Sequence, residues 1–394
     1  MRMRKRVVVT AVAGALMLGL AAVAGAAKTP KKEYAGSQSC KKCHAEEFKT
    51  WKATYHSKMV RKKDDGILKG VVEKWATDGT NPGPTKGNVT GKDFKLEDVV
   101  YVIGSKWKQR FLVKDDTTGG FQFLNKQYNS MSGKWENYGN KNDWDSMCAT
   151  CHTTGYRLTK YDEANPKAQK SEWSELNVGC EACHGPGAKH VKSKSKKDIY
   201  SFAGKSKAEQ SRVCGYCHIR VENELYKSAQ GNPREDLPAP KVGDSFKPSD
   251  DWTKWYPEHA IMPAIQPEDK VDADYKGDLK GLFIKDDVSK ALVAYDSAKH
   301  HQEYQDFLQS KHYKDDILSC VDCHGSLHAS KKSPAKDPKA SCAKCHDASF
   351  TPEKYMPGTG KTADNLFLRT HTFNKNQTRP GGPTAKGEPV YHKK

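Results

Sequence analysis

The sequence predicts a mainly α-helical and irregular fold with one small antiparallel β-hairpin or meander near residues 99–125. Only 36% of the 394 residues are hydrophobic while 29% are charged, and the mean hydropathy is −0.85. A chain of this composition buries too little aliphatic surface to offset the entropy lost on ordering. All 12 cysteines recur in one short motif, and β-type alternation is confined to one stretch. Something other than aliphatic side chains must therefore fill the interior.

Every cysteine lies in a Cys-x-x-Cys-His motif, and the motif occurs six times. The motifs, numbered one to six in chain order, consist of Cys40, Cys43 and His44; Cys148, Cys151 and His152; Cys180, Cys183 and His184; Cys214, Cys217 and His218; Cys320, Cys323 and His324; and Cys342, Cys345 and His346. Two thiols at this spacing can bond the two vinyl groups of one haem, and the adjoining histidine then becomes an axial ligand of the iron. The sequence therefore predicts six covalent haems c that form the core of a multihaem cytochrome c fold.

Two other chemistries use closely spaced cysteines. A zinc site would pair the motifs and would not need a histidine after each second cysteine. A redox disulfide of the thioredoxin type would occur once, after a strand. Neither explains six copies that use all 12 cysteines. Haem attachment is the interpretation that the spacing favours.

The N-terminus has the composition of a secretory signal peptide. Four basic residues within positions 2–6 precede an apolar stretch over 7–24, and Ala24-Gly25-Ala26 supplies a small-residue cleavage site. We expect residues 1–26 to be removed and the mature chain to be periplasmic or extracellular, since haem c is attached after export. An uncleaved membrane anchor is the alternative, because the apolar run approaches spanning length. No cysteine precedes Cys40, which argues against a lipid anchor, and no other stretch approaches the length of a transmembrane segment.

The chain is strongly basic. Its formal net charge is +18, and removal of residues 1–26 takes away four basic and no acidic residues, which leaves +14. The lysines are scattered, so we expect a solvated surface that also balances haem propionates, and no nucleic-acid partner. As a secondary role, we expect this positive charge to allow an acidic redox partner to dock.

The motifs fall into three groups along the chain: one near the N-terminus, three within 148–218 and two within 320–346. We predict one hexahaem domain over 27–394. A finer division into two sub-domains, 27–235 with four haems and 236–394 with two, follows the same grouping.

Outside the motifs, local composition predicts few regular elements. Alternating β-branched and aromatic residues on either side of a Gly119-Gly120 turn predict the meander. Residues 220–290 are rich in Pro, Asp and Lys and are predicted to be mostly loop, whereas 287–308 are predicted to be helical. Residues 358–362 resemble the end of a phosphate-binding loop, but the first glycine and the preceding strand are missing, so a loop beside a haem is predicted.

Each iron needs a second axial ligand, and nine histidines lie outside the motifs: His56, His190, His259, His300, His301, His312, His328, His371 and His392. The two axial nitrogens of one iron lie on opposite faces, about 4 Å apart. On a helix His324 and His328 would share a face, and His44 and His56 would be about 18 Å apart. We therefore expect cross-ligation, in which a histidine near one motif serves the haem of another. The alternative ligands are Met59, Met131, Met147, Met262 and Met356, which the surplus of histidine disfavours.

Several segments around the motifs match a known pattern, namely 36–44 continuing to Trp51 and His56, 101–110, 144–155, 179–190, 300–312 and 369–373. In these segments, which span most of the mature chain, the protein resembles the cytochrome c-554 family. The resemblance implies distal ligands at His56, His190, His312, His328 and His371, with His300 or His301 as the sixth, of which we choose His301. The protein that gives the family its name carries four haems, whereas this sequence provides for six.

The predicted function is electron transfer through a chain of six mostly bis-histidine, low-potential haems. The expected partners are other cytochromes or a quinol-oxidising membrane complex. One alternative is a reductase or oxidase of a small nitrogen or sulfur species at one five-coordinate haem, although no Cys-x-x-Cys-Lys motif occurs. Another is self-association into an oligomer or a conducting extracellular filament, with a surplus histidine crossing to the next subunit.

Overall fold

The structure is a computed structural model. It describes residues 33–62, 86–88, 90–104, 107–116, 119–138, 144–162, 169–219, 222–227, 233–235, 242–250, 301–308, 310–325, 328, 338–347, 349–356, 358–362 and 366–373. The predicted signal peptide, most of the predicted helix over 287–308, and His259, His300 and His392 lie outside these residues.

The first motif lies between two short helices. These are α1 (Ser37–Cys40) and α2 (Ala45–Lys52), and a turn of 3₁₀ helix over His56–Lys58 follows them. Helix α2 packs through Phe48 and Trp51, which are buried, and the indole of Trp51 donates a hydrogen bond to the carbonyl oxygen of Val178 at 2.9 Å. This hydrogen bond connects Trp51, which follows the first motif, to the segment that precedes the third motif.

A five-stranded antiparallel sheet separates the first and second motifs. Its strands are β1 (Val60–Lys62), β2 (Val99–Ile103), β3 (Lys108–Lys114), β4 (Phe121–Asn129) and β5 (Lys134–Asn137), in the spatial order of the sequence. The sequence predicted β2 to β4; the structure adds the two short edge strands. The β2–β3 turn needs Gly104, because its φ is +86° and an added Cβ would lie 2.1 Å from the carbonyl oxygen of Lys108.

Both faces of the central strand β3 are buried, which gives the sheet two small cores. Leu112 packs with Phe123 and Trp144 on one face, and Phe111 packs with Leu124 on the other. The first of these cores also contains Ala149, next to the second motif. The sheet therefore serves as a scaffold against which the second motif is built.

The remaining motifs lie on short helices joined by irregular chain and two-stranded ribbons. The helices are α3 (Ala149–His152), α4 (Cys180–His184), α5 (Ala188–Ser193), α6 (Lys207–Gly215), α7 (Glu303–Phe307), α8 (Lys311–Lys314), α9 (Cys320–His324), α10 (Pro338–Cys342) and α11 (Pro352–Tyr355). The ribbons pair β6 (Thr153–Thr154) with β9 (Glu175–Leu176), β7 (Arg157–Lys160) with β8 (Lys170–Glu172), β10 (Glu222–Lys227) with β11 (Pro233–Glu235), and β12 (Gly358–Thr362) with β13 (Leu366–Arg369).

Two predictions of loop were wrong in detail. Residues 222–227 and 233–235 form a hairpin inside the predicted loop region, and residues 358–362 form strand β12. Each of these strands is made by pairing with another segment, which its own composition does not reveal. Among the described residues, no helix combines the length and apolar character needed to cross a bilayer.

Candidate haem-binding centre

Five of the six motif histidines face a histidine from outside the motifs. The ring-centroid distances are 6.3 Å for His44–His190, 5.8 Å for His184–His328, 6.2 Å for His218–His56, 6.0 Å for His324–His371 and 6.0 Å for His346–His312. The spacing of His56 from His44, and of His328 from His324, argued against a shared iron in each case. In the structure His56 faces the fourth motif and His328 faces the third.

This spacing matches what an iron between two imidazoles requires. Two Fe–N bonds of about 2 Å, together with the depth of the two rings, place the ring centroids about 6 Å apart. All five separations lie between 5.8 and 6.3 Å. The residues present therefore fit haem iron at five positions.

Hydrogen bonds from Nδ1 to the backbone hold several of these rings in place. The Nδ1 atoms of His184, His190 and His371 lie 3.0, 2.9 and 3.0 Å from backbone carbonyl oxygens. A ring that donates from Nδ1 keeps its lone pair on Nε2, the atom that binds iron. The tautomer needed for ligation is thus set by the backbone.

Burial keeps the imidazoles of three of these histidines neutral. It lowers the pKa of His56, His152 and His324 to about 4, since a buried imidazolium loses its hydration. Neutral imidazole is the form that coordinates a metal.

His218 of the fourth motif has a carboxylate as its Nδ1 partner. Glu303 at the start of α7 lies 3.2 Å from this nitrogen. Burial opposes ionisation of Glu303, but the hydrogen bond and the charge of His218 outweigh it and lower the pKa of Glu303 to about 2. The sequence analysis missed this residue, because nothing local signals that Glu303 reaches a motif 85 positions earlier.

The motifs meet in two similar contacts. The thiol of Cys40 contacts that of Cys180, and the Oγ of Ser37 accepts a hydrogen bond from the backbone N–H of Cys180 at 3.1 Å. The thiols of Cys214 and Cys320 contact each other in the same way. There Ser211, like Ser37, stands three residues before the first cysteine, and it accepts from the N–H of Cys320 at 3.3 Å. The first motif is thus joined to the third, and the fourth to the fifth.

A buried carboxylate strengthens the first of these contacts. Glu181, inside the third motif, accepts hydrogen bonds from the backbone N–H groups of Ala35 at 2.8 Å, Gly36 at 2.7 Å and Gly187 at 2.6 Å. Charge-assisted bonds of this kind are stronger than neutral ones. They connect the chain before the first motif with the turn that leads to His190.

A cavity of about 1130 Å³ runs between the second to sixth motifs. Eight of the 12 cysteines line it: Cys151, Cys183, Cys214, Cys217, Cys320, Cys323, Cys342 and Cys345. Pockets for one small ligand span about 300–1,000 Å³. The size of the cavity and the cysteines on its wall fit a core occupied by several prosthetic groups.

The second motif differs from the others. Within the described part of the chain, no second histidine ring faces His152, and its Nδ1 has no hydrogen-bond partner. His301, predicted as a distal ligand, has a φ of +51° and lies with Nδ1 3.4 Å from the carbonyl oxygen of Ile219. The structure brings together ten of the 12 predicted histidine ligands and leaves His152 and His301 outside the described ring pairs.

The family model for cytochrome c554 and c-prime matches residues 39–82 and 115–185, which contain the first three motifs. The chain is a multihaem c-type cytochrome that resembles this family. Cytochromes of the c type carry haem bound covalently through cysteine thioethers. No curated protein matches this cytochrome.

Two solved structures are similar in fold. The outer cell wall cytochrome OcwA has a TM-score of 0.50 and 22% identity, with 92% of this chain and 65% of that chain covered. An undecahaem cytochrome from the S-layer of Carboxydothermus ferrireducens has a TM-score of 0.42 and 20% identity, with 84% and 45% covered. This cytochrome therefore spans less than two thirds of the length of either protein.

Proposed function

We propose that the protein transfers electrons through six covalent haems c, at least five of which are ligated by two histidines. The five histidine pairs at 5.8–6.3 Å carry this proposal. An iron with two histidine ligands has no free position for a substrate, and its potential lies below that of a His/Met haem. Such haems relay electrons and do not transform substrates.

The proposed distal ligands cross between motifs. His190 serves the haem of the first motif, His328 the third, His56 the fourth, His371 the fifth and His312 the sixth. Every one of these ligands comes from a different part of the chain than the motif it completes. The haems therefore fix the chain segments relative to one another.

The contacts between cysteines support an order of electron transfer. Cys40 touches Cys180, and Cys214 touches Cys320, so the first and third haems and the fourth and fifth haems would be neighbours. Cys183 lies near Cys214, which would link these two pairs. Cys323 also lies near Cys342, which supports a sixth haem after the fifth. The proposed path runs one, three, four, five, six. Thr150 of the second motif shares a hydrogen bond of 2.9 Å with Tyr216 of the fourth, which supports a second haem beside the fourth.

We place this protein outside the cytoplasm, in the periplasm or at the cell surface. The predicted signal peptide supports export, and the similar structure OcwA is named as an outer cell wall cytochrome. Other cytochromes or a quinol-oxidising membrane complex are the proposed partners, and a nucleic acid is not among them.

Intact-mass measurement of protein secreted by a host with haem-attachment machinery tests the haem count. The proposal requires a mass that contains six haems and lacks residues 1–26. A potentiometric titration of the same sample should then show that all reduction occurs at low potential. A mature protein with fewer than six haems would contradict the proposal, and a retained N-terminus would contradict the predicted cleavage.

One observation favours a second candidate function at the second motif. His152 is half-buried, and no described histidine faces it, so the haem held there is the candidate for a five-coordinate iron. Such an iron could reduce or oxidise a small nitrogen or sulfur species. Rapid binding of carbon monoxide to one haem of the wild-type protein, with turnover of nitrite or hydroxylamine, would establish the enzyme. If wild type shows neither rapid carbon monoxide binding nor turnover, electron transfer alone is the function.

Glu303→Gln is expected to raise the potential of the fourth haem. The carboxylate 3.2 Å from Nδ1 makes His218 a more basic ligand, which stabilises the ferric state. We expect a shift of about 59 mV, equivalent to a tenfold change in the one-electron equilibrium constant. Glu303→Asp should recover part of the shift. Glu181→Gln is the control, because it removes a buried carboxylate that bonds only backbone N–H groups. A titration in which Glu303→Gln and wild type coincide would refute this role.

A further inference from the structure

We propose that an acidic electron-transfer protein docks on a lysine-rich surface around the first haem and exchanges electrons there. This inference rests on the proposed function and assigns its docking site. The surface, which we call the lysine rim, consists of Lys41, Lys42, Lys192, Lys194, Lys196 and Lys197.

The lysine rim has two parts that meet at one haem position. Lys41 and Lys42 lie between the cysteines of the first motif. The other four follow His190, whose ring faces His44 at 6.3 Å. Nδ1 of His190 bonds the carbonyl oxygen of Ser195 at 2.9 Å, and Ser195 stands between Lys194 and Lys196. The lysines therefore lie beside both the proximal and the distal ligand of the first haem.

This end of the haem chain is open to solvent. Cys43 and Cys345 are the exposed cysteines, and the other ten are partly buried. His44 is exposed as well. The haems of the first and sixth motifs are thus the two that a partner could approach closely, and they stand at the two ends of the proposed path.

The charge of the lysine rim is largely uncompensated. All six lysines are exposed, and none forms an ion pair with a carboxylate of the described residues. Asp198, the acidic residue in the second part, is paired with Lys189 instead. Glu46 and Glu47 follow the first motif and offset only part of the positive charge. A carboxylate-rich surface would complement this rim.

The sixth motif lacks this character among the residues that the structure describes. There the exposed Lys339, Lys344 and Lys354 share the surface with Asp347 and Glu353. Glu353 also pairs with Arg369. The charge distribution therefore singles out the first haem as the docking end for an acidic protein.

Lys194 adds an independent indication. It ends helix α5 with a φ of +57°, a left-handed conformation in which glycine is favoured and a lysine is strained. A lysine thus occupies a position where glycine would have the lowest conformational free energy. The same fact supplies a clean variant, because Lys194→Gly removes one charge of the rim and relieves backbone strain.

Electron transfer from reduced flavodoxin, an acidic protein, to the oxidised holoprotein tests the proposal. Stopped-flow absorbance follows the second-order rate as one electron leaves the flavin and one ferric haem becomes ferrous. For wild type the rate should fall steeply between about 0.01 M and 0.5 M salt, since screening removes steering by opposite charges. An uncharged quinol is the second donor, whose rate should not depend on salt.

Reversal of Lys192, Lys196 and Lys197 to glutamate should slow the reaction with flavodoxin about tenfold or more at low salt and flatten its salt dependence. The matched control reverses Lys92, Lys114 and Lys134, which are exposed on or beside the five-stranded sheet and give the same change in net charge. Lys194→Gly should slow the reaction without lowering the melting temperature.

Equal effects of the two triple variants, or no effect of the rim variant, would overturn the proposal. If neither flavodoxin nor the quinol reduces the wild-type haems, the proposed function itself fails. If the quinol reduces them and flavodoxin does so at a rate that salt does not alter, only the docking site fails.

Discussion

Replacement of both Cys180 and Cys183 with serine is expected to destabilise the whole chain and not merely to remove one chromophore. The haem of the third motif would lie inside the path, between the haems of the first and fourth motifs. Its loss leaves part of the 1130 Å³ cavity unfilled, and few aliphatic residues are available to repack it. Emptying a large buried site costs more than about 5 kcal/mol in free energy of unfolding.

Thermal unfolding followed by circular dichroism measures this effect. The matched control replaces Cys342 and Cys345, which also removes one haem but at the exposed end of the path. The control should retain five haems and lose little stability. A Cys180/Cys183 variant that keeps five normal haems and melts like the control would show that haem does not form the core.

His190→Gly is expected to open the iron of the first haem. His190 is the histidine that faces His44, and its helix lies at the surface, so glycine leaves an axial position that a small molecule can reach. One new high-spin signal should appear in the oxidised protein, and after reduction carbon monoxide should bind to one more haem per molecule than in wild type. Added imidazole should restore the low-spin spectrum. His190→Met should instead leave the iron low-spin and raise one potential, because thioether ligation favours the ferrous state.

Val191→Gly is the control for this experiment. Val191 is the next residue of the same helix, and its side chain is 43% exposed. The substitution carries a similar helix penalty, of about 0.5 kcal/mol, without touching a ligand. Its spectrum should equal that of wild type. A His190→Gly protein that stays fully low-spin without imidazole would remove His190 from the ligand set.

The six haem-binding motifs and the candidate ligands could be identified from sequence because they depend on local spacing. Cys-x-x-Cys-His encodes a covalent haem within five residues, and the spacing of His324 and His328 excludes one shared iron. The pairing of ligands could not be predicted in this way. His328 faces the third motif because of how distant segments pack. The resemblance supplied a set of candidate histidines but not the motif that each one faces.

The same limit explains what the sequence analysis missed in the fold. The central strands β2 to β4 have clear alternation and were predicted, whereas β1 is defined by its pairing with β2 across about forty residues. Strand β12 was predicted as a loop because its residues, Gly-Thr-Gly-Lys-Thr, have no β-type pattern. Glu303 and the paired Ser37 and Ser211 act through tertiary contacts with motifs far along the chain.

Low-temperature EPR of the oxidised wild-type protein tests the central claim, that at least five irons lie between two histidines. The rings of His56–His218 and His312–His346 are nearly perpendicular, at 88° and 84°, whereas the other three pairs lie at 19–32°. The account predicts two strongly anisotropic low-spin signals and three rhombic ones. The iron of the second motif gives a further signal, low-spin in a carrier and high-spin in an enzyme. High-spin signals from two or more irons would contradict the account.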